Sequence, residues 1–282
     1  MHVLWRGNAN AWECDELGHL NVRFYLAKAE EAIGALAQAI AMPGAFQDRA
    51  TATLTARTLT VRFLAEVRPG APLIIRGGVI DHDETGLTAA LILDHCAQDR
   101  PAAAFTVHMA HHAPGSERTF PWPARTRAAL ADMTVAAPAE IETRSLSHGP
   151  PEREVSLERA EALGLQEVGR GMITAGEVDA FARMRLESAF GKISSSVVHL
   201  RSGFPEQWEA FRAGRPLQAA SAVLEARLNF HRFAKAGTGY VVRTGLARVT
   251  DKVRTLVHWV CDPVTGAPLW TMEAVGCLLD LK

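Results

Sequence analysis

The chain repeats itself, and few other features restrict its possible folds as tightly. Sliding the 282-residue sequence on itself by 167 positions places Phe63 on Phe230, Gly70 on Gly237, Ile74 and Ile75 on Val241 and Val242, Arg76 on Arg243 and Thr88 on Thr255. That register runs to the C-terminus without a gap. A slide of 164 places Glu13 on Glu177, Asp15 on Asp179, Ile33 on Val197 and Leu36 on Leu200. The difference between the two slides fits one modest insertion ahead of the second sheet, around Gly203 to Gly214. Single apolar coincidences are cheap, but matched strand boundaries and turns over a whole sheet are not, so the chain reads as two copies of a unit of about 110 residues.

Local patterns describe that unit. Val3 to Trp12 is an extended lead. From Val22 the residues Phe24, Leu26, Ala27, Ala29, Ile33, Leu36, Ala37, Ile40 and Ala41 recur at helical spacing, with alanine dense enough for a sheet to wrap closely around a buried helix. Met42-Pro43-Gly44 ends it, because neither proline nor glycine continues a helix well. Thr53 to Val67 then alternates with β-branched residues, and strands over Pro72 to His82, Leu87 to Cys96 and Ala102 to His112 follow. The loops between them are Asp83-Glu84-Thr85-Gly86 and Gln98-Asp99-Arg100-Pro101. One strand, one long helix and an antiparallel meander make an α+β unit.

From Ala113 prolines and glycines punctuate a stretch of weak periodicity, which predicts a linker with one short helix near Arg125 to Met133. Ser156 reads as the N-cap of a helix over Leu157 to Leu163 that Gly164 closes. The expected division is a first domain over 1–112, a linker over 113–155 and a second domain over 156–282.

Charge excludes some functions. Lys plus Arg number 30 against 31 Asp plus Glu, so the broad positive footprint of a nucleic-acid binder is missing. No basic segment leads into an apolar core at the start and no run of about 18 apolar residues follows, which predicts a cytoplasmic protein without a membrane span. Cys14, Cys96, Cys261 and Cys277 lack paired spacing and read as reduced core thiols. Alternate residues of a strand face opposite sides, so His108, His111 and His112 do not make a metal triad, and Asp81-His82-Asp83 reads as a strand end and turn. Neither a glycine-rich phosphate loop nor a nucleophilic-serine elbow is present.

What remains is the stretch Glu13-Cys14-Asp15-Glu16-Leu17-Gly18-His19-Leu20-Asn21-Val22-Arg23-Phe24-Tyr25. An acid, a glycine, an imidazole and an amide precede a long helix, so polar side chains and free backbone N–H groups converge where a developing negative charge can be held. An acid followed by Gly-His-x-Asn at the entry to an alanine-rich helix, wrapped by a long meander, resembles the hotdog fold. More narrowly it resembles the acyl-CoA and acyl-ACP thioesterases of the 4-hydroxybenzoyl-CoA thioesterase type. The resemblance covers both halves and implies a tandem double hotdog whose units pair into one continuous sheet with acyl sites in the clefts between them.

Thioester hydrolysis needs a base or nucleophile at the carbonyl carbon and donors for the oxygen that becomes negative. The resemblance implies Asp15 as general base on water or as carboxylate nucleophile, and the backbone N–H of Val22 as the oxyanion donor. His19 is a candidate to polarise the carbonyl or move a proton, against a purely structural histidine. Asn21 is an N-cap or a substrate contact, and Gly18 allows either close backbone approach or a turn with positive φ. Tyr25 is carried as a substrate-contact candidate. The plant acyl-ACP enzymes place an asparagine two residues after the acid, where this chain has Leu17, so their relay does not carry over. In the second copy Asp179 is retained, but Ala182, Arg183 and Arg185 replace glycine, histidine and asparagine; that pocket is expected to be inactive, with the two arginines on a solvated face or gripping a carboxylate or CoA phosphate.

The expected activity is hydrolysis of an acyl-CoA to free acid and CoA, with no cofactor and no metal, by a homodimer of tandem units. The alternatives are a hotdog hydratase or dehydratase, whose acid and histidine lie further apart, and a non-catalytic acyl-CoA binding module.

Overall fold

A computed structural model of the chain describes residues 1–146, 152, 154–216 and 219–280. In the first copy β1 (His2–Asn8) enters a short 3₁₀ turn and then α1 (Val22–Ala39), and the meander β2 (Thr53–Phe63), β3 (Pro72–His82), β4 (Gly86–His95) and β5 (Arg100–His112) follows. Between the copies lie α2 (Ala124–Asp132) and α3 (Leu157–Ala162). The second copy runs through β6 (Gln166–Met172), α4 (Leu186–Ser194), α5 (Pro205–Arg212), β7 (Ala219–Phe230), β8 (Gly239–Val249), β9 (Arg254–Cys261) and β10 (Pro268–Asp280).

The reasons for α1 are local at its ends and tertiary along its length. Asn21 is extended, and its side chain accepts the Arg23 N–H at 3.1 Å, satisfying one of the orphan donors of the first turn. Leu26, Ala29, Ala32, Leu36 and Ala37 are at most 1% exposed, so one stripe packs on the sheet, each fully buried leucine contributing roughly 1.5–3 kcal/mol. Ala41, at φ +62°, turns the chain out while the Met42 N–H bonds the Ala37 carbonyl, ending the helix ahead of Pro43.

Among the described residues these ten strands form one antiparallel sheet in the order β1-β3-β4-β5-β2-β7-β10-β9-β8-β6. Five strands of each copy therefore stand side by side, joined where β2 pairs with β7. In that seam Thr58 faces Asn229, Thr60 faces Arg227 and Arg62 faces Glu225. Arg227 is the duplicate of Thr60, so a pseudo-twofold axis passes between those two residues.

Backbone bonds outside the strands repeat with the two slides read from the sequence. Leu20 N–H donates to the Val67 carbonyl at 2.7 Å and Met184 to Ala234 at 2.8 Å, while Ala9 donates to Ala71 and Ile173 to Thr238. Lys28 pairs with Glu13 at 2.8 Å and Lys192 with Glu177 at 2.6 Å.

The copies diverge in their helices. α1 has 18 residues but α4 has only 9, so Val197 and Leu200 lie beyond the helix instead of continuing it. The hydroxyls of Ser195 and Ser196 bond back to the Lys192 carbonyl, Ser196 also approaching that of Ile193, and the β-branched pair Val197-Val198 follows; both features oppose helix continuation. The insertion contains α5, which begins on Pro205.

Several expectations change. Cys261 is buried, but Cys96 is exposed in the turn after β4 and Cys14 and Cys277 are half-buried, because a turn position has no sheet face to hide on. The segment after β5 packs on the first sheet: Trp122 is 2% exposed and its indole donates to the Asp83 carbonyl. Gly149, Pro150 and Pro151 lie outside the described residues. His111 stacks on Trp122 and His112 on Phe233, and no cluster of metal-ligating side chains occurs among the described residues. No described helix is long and apolar enough to cross a membrane.

Candidate active site

The loop between β1 and α1 is a tight turn built around Asp15. One carboxylate oxygen, Oδ1, accepts the backbone N–H groups of Leu17 and His19, both at 3.0 Å, while the Asp15 N–H donates to the His19 carbonyl at 2.8 Å. Gly18 sits at φ +73°, and a Cβ there would meet nothing within 4 Å. The glycine therefore serves the backbone conformation and not a close approach. Oδ2 of Asp15 has no partner within the described residues.

Asp15, His19, Asn21, Val22 and Tyr25 line one cavity of about 890 Å³ between the loop and the second copy. Its far side is formed by α4 and by β7, β9 and β10, including Phe190, Ala222 and Met272. At the start of α1 the Arg23 amide bonds the Asn21 side chain and the Phe24 amide its carbonyl, at 2.8 Å. The Val22 amide has no acceptor among the described residues. It stands at the positive end of an 18-residue helix, where a negative charge is favoured.

His19 is half-buried, with Nε2 3.1 Å from Glu66 Oε2 but off the line of a hydrogen bond, so the contact is a charge pairing when the ring is protonated. Sequence reasoning missed Glu66. It reaches the loop only because Leu20 pairs with Val67 after β2, and no local pattern announces such a meeting. Tyr25 is 3% exposed and its hydroxyl donates to the Ala65 carbonyl at 3.3 Å; burial raises its pKa above the ordinary phenol value. The ring is a wall element, stacked edge-on to Phe63, which meets Phe190 of α4.

The second copy builds the same turn with different occupants. Asp179 Oδ1 accepts the N–H groups of Phe181 and Arg183 at 2.8 and 2.9 Å, and Ala182 takes the left-handed conformation of Gly18 at φ +58°. Arg183, however, is 6% exposed; its Nη2 lies 2.7 Å from Asp179 Oδ2 and also donates to the Thr53 hydroxyl, while Nη1 donates to that of Thr55. The oxygen left open at Asp15 is thus occupied at Asp179. Arg185 pairs with Glu187. Arg183 is thereby buried and committed to Asp179, whereas Arg185 stays partly exposed and is paired with Glu187.

These residues border a separate, smaller cavity of about 350 Å³. Glu30 of α1 faces it and approaches the Leu186 N–H, the duplicate of the Val22 donor; burial outweighs Arg185 and that amide and raises its pKa to about 7.

Two helices, each laid on five strands of one shared antiparallel sheet, define a double hotdog. Residues 9–130, a little under half of the chain, match the family model of the thioesterase-like superfamily. No curated protein sequence matches. Among solved structures the chain is similar to a provisionally designated oleoyl thioesterase from Lactobacillus plantarum, with a TM-score of 0.71 and 10% identity over 98% of this chain and 95% of that one. It is similar to an acyl-ACP thioesterase from Bacteroides thetaiotaomicron, at 0.68 and 10% identity over 96% of each. It is also similar to the 12:0-ACP thioesterase from Umbellularia californica, at 0.70 and 9% identity over 98% and 93%. At such identities the likeness establishes the fold across the whole chain.

Proposed function

We propose that the cavity beside Asp15 is the active site of a thioester hydrolase that cleaves an acyl-CoA to the free acid and CoA. The observation that carries the reading is the division of labour within one carboxylate: Oδ1 is held by two backbone amides, while Oδ2 has no partner among the described residues, and Asp15 and Val22 line the same large cavity. A thioester carbonyl placed against the Val22 N–H presents its carbon to Oδ2. From there Asp15 either removes a proton from an attacking water or attacks the carbonyl directly, and in both routes the amide and helix terminus stabilise the tetrahedral oxyanion without reorganising. His19, steadied by Glu66, is placed to receive or return a proton as the thiolate leaves.

The second cleft is read as scaffold. Its acid is neutralised by Arg183, and Glu30 occupies the surroundings of its helix-start amide. The family match over the first copy and the thioesterases among the fold's neighbours support the same reaction class.

The test is thiol release from a panel of acyl-CoAs, followed with a thiol-reactive dye, for the wild type and Asp15→Asn. Replacing the carboxylate should lower turnover by about 10²-fold or more with the melting temperature little changed. Equal turnover in the two proteins would place the chemistry elsewhere.

A further inference from the structure

The duplication supplies an internal control for the cavity wall. In the first copy a cross-strand row Gly77, Leu91, Phe105 lies under α1. The row is apolar and tight: Leu91 and Phe105 are fully buried, and a Cβ on Gly77 would fall 2.5 Å from a Leu91 methyl. The equivalent row in the second copy is Thr244, His258, Met272, and His258 and Met272 line the cavity. Next to it Val107 and Met109 of the first copy are replaced by Ala274 and Gly276, which also line the cavity. Smaller side chains and a shorter helix hollow out the space that α1 fills in its own unit.

The hollow is not uniformly apolar. His258 is 1% exposed, and its Nδ1 shares a hydrogen bond with the Thr244 hydroxyl at 2.9 Å. Nε2 has no partner among the described residues. Burial alone pushes its pKa down to about 3, so the ring that meets the cavity is neutral. On α4, Ser188 replaces Phe24 of the first copy; it is 1% exposed, it lines the same cavity, and its Oγ has no hydrogen-bond partner. A buried polar group left unpaired costs about 1–3 kcal/mol. Ser188 Oγ is such a group, and Ser188 and His258 stand where the sister unit has phenylalanine and leucine, so the fold itself does not need them.

We infer that the inner part of this cavity receives an acyl group bearing a hydroxyl on its chain, with His258 Nε2 and Ser188 Oγ as its hydrogen-bond partners. A hydroxyl both donates and accepts, so it pairs with the neutral imidazole in either tautomer and with serine in either sense. A plain alkyl chain in the same place removes water from both groups and returns nothing. The inference rests on the proposed hydrolase reading and names the substrate class of that site.

The experiment compares dodecanoyl-CoA with its 3-, 8- and 12-hydroxy derivatives on the wild type, on Ser188→Ala and on the double variant Thr244→Val/His258→Leu, which replaces the buried polar pair by an apolar one. In the wild type at least one hydroxylated substrate should exceed the parent by about tenfold or more in kcat/KM, the ratio expected for one satisfied buried hydrogen bond. The ratio should fall toward one in both variants. A wild type that prefers the unsubstituted chain, or a preference that survives both variants, overturns the inference. Calorimetric binding of dodecanoic acid and the matching hydroxydodecanoic acids to the wild type gives the same comparison without turnover, so failure of hydrolysis and failure of hydroxyl recognition read out separately.

Discussion

Asp15 and Asp179 occupy equivalent turns and accept equivalent pairs of backbone amides, yet their second oxygens meet different surroundings. The difference is one side chain four residues on: His19 leaves the second carboxylate oxygen of Asp15 open, whereas Arg183 closes that of Asp179. A comparable difference occurs at the helix starts, where the Val22 amide has no acceptor among the described residues and the Leu186 amide is approached by Glu30. Glu30 also makes stability depend on pH. Its folded pKa of about 7 lies above the ordinary carboxylate value, so between those two values the folded state binds more protons than the unfolded one. This contribution is therefore fully present below the ordinary carboxylate value, falls progressively across that interval, and is lost once pH has risen through about 7. The Glu30→Gln variant should flatten that slope and gain on the order of 2 kcal/mol over the wild type at pH 8. Urea midpoints at pH 5, 6, 7 and 8 measure it, and parallel curves for the two proteins would contradict the assignment.

At the scale of elements, the β2–β7 seam decides how the copies meet. Arg62 and Glu225 face each other there, 8% and 5% exposed, with Nε 3.3 Å from Oε1. Arg62 also donates to the Glu140 carbonyl, and Glu225 accepts the amides of Arg144, Ser145 and Leu146. The pair thereby ties the segment after β5 across the seam. Removing one partner leaves a buried charge alone, so Arg62→Leu should destabilise by about 3–5 kcal/mol in chemical denaturation. The double change Arg62→Leu/Glu225→Leu should recover much of that loss. A single variant as stable as the wild type would mean the seam does not depend on this pair. The truncation of α4 belongs to the same scale: three consecutive serines and two valines stop a helix that its sister continues, and the cavity is the consequence.

For the molecule as a whole, the sheet and the core are continuous. One apolar cluster includes Leu26, Leu36 and Phe105 from the first copy and Phe190, Leu228 and Trp270 from the second. Neither half can expose its seam without uncovering core, so the chain should unfold in a single transition. Tryptophan fluorescence and far-ultraviolet circular dichroism are expected to give coincident urea curves, and hydrogen exchange in β2 and β7 to proceed through the same global opening. Separate midpoints for the two strands would show that the units are independent folding bodies.

The duplication, the strand boundaries, the α1 cap at Asn21 and the loop around Asp15 were legible in the amino-acid sequence, because each depends on residues close together in the chain or on periodicity within one element. Repetition also revealed where an insertion sits. Tertiary structure alone decided the rest. Glu66 reaches His19, Glu30 crosses to the second cleft and His258 enters the first cavity, all through contacts whose partners lie far apart in the chain or on different elements. Spacing along a chain carries no information about such meetings; they arise when β2 brings its end back to the loop before α1 and when the two copies join edge to edge and set one copy's helix against the other copy's loop.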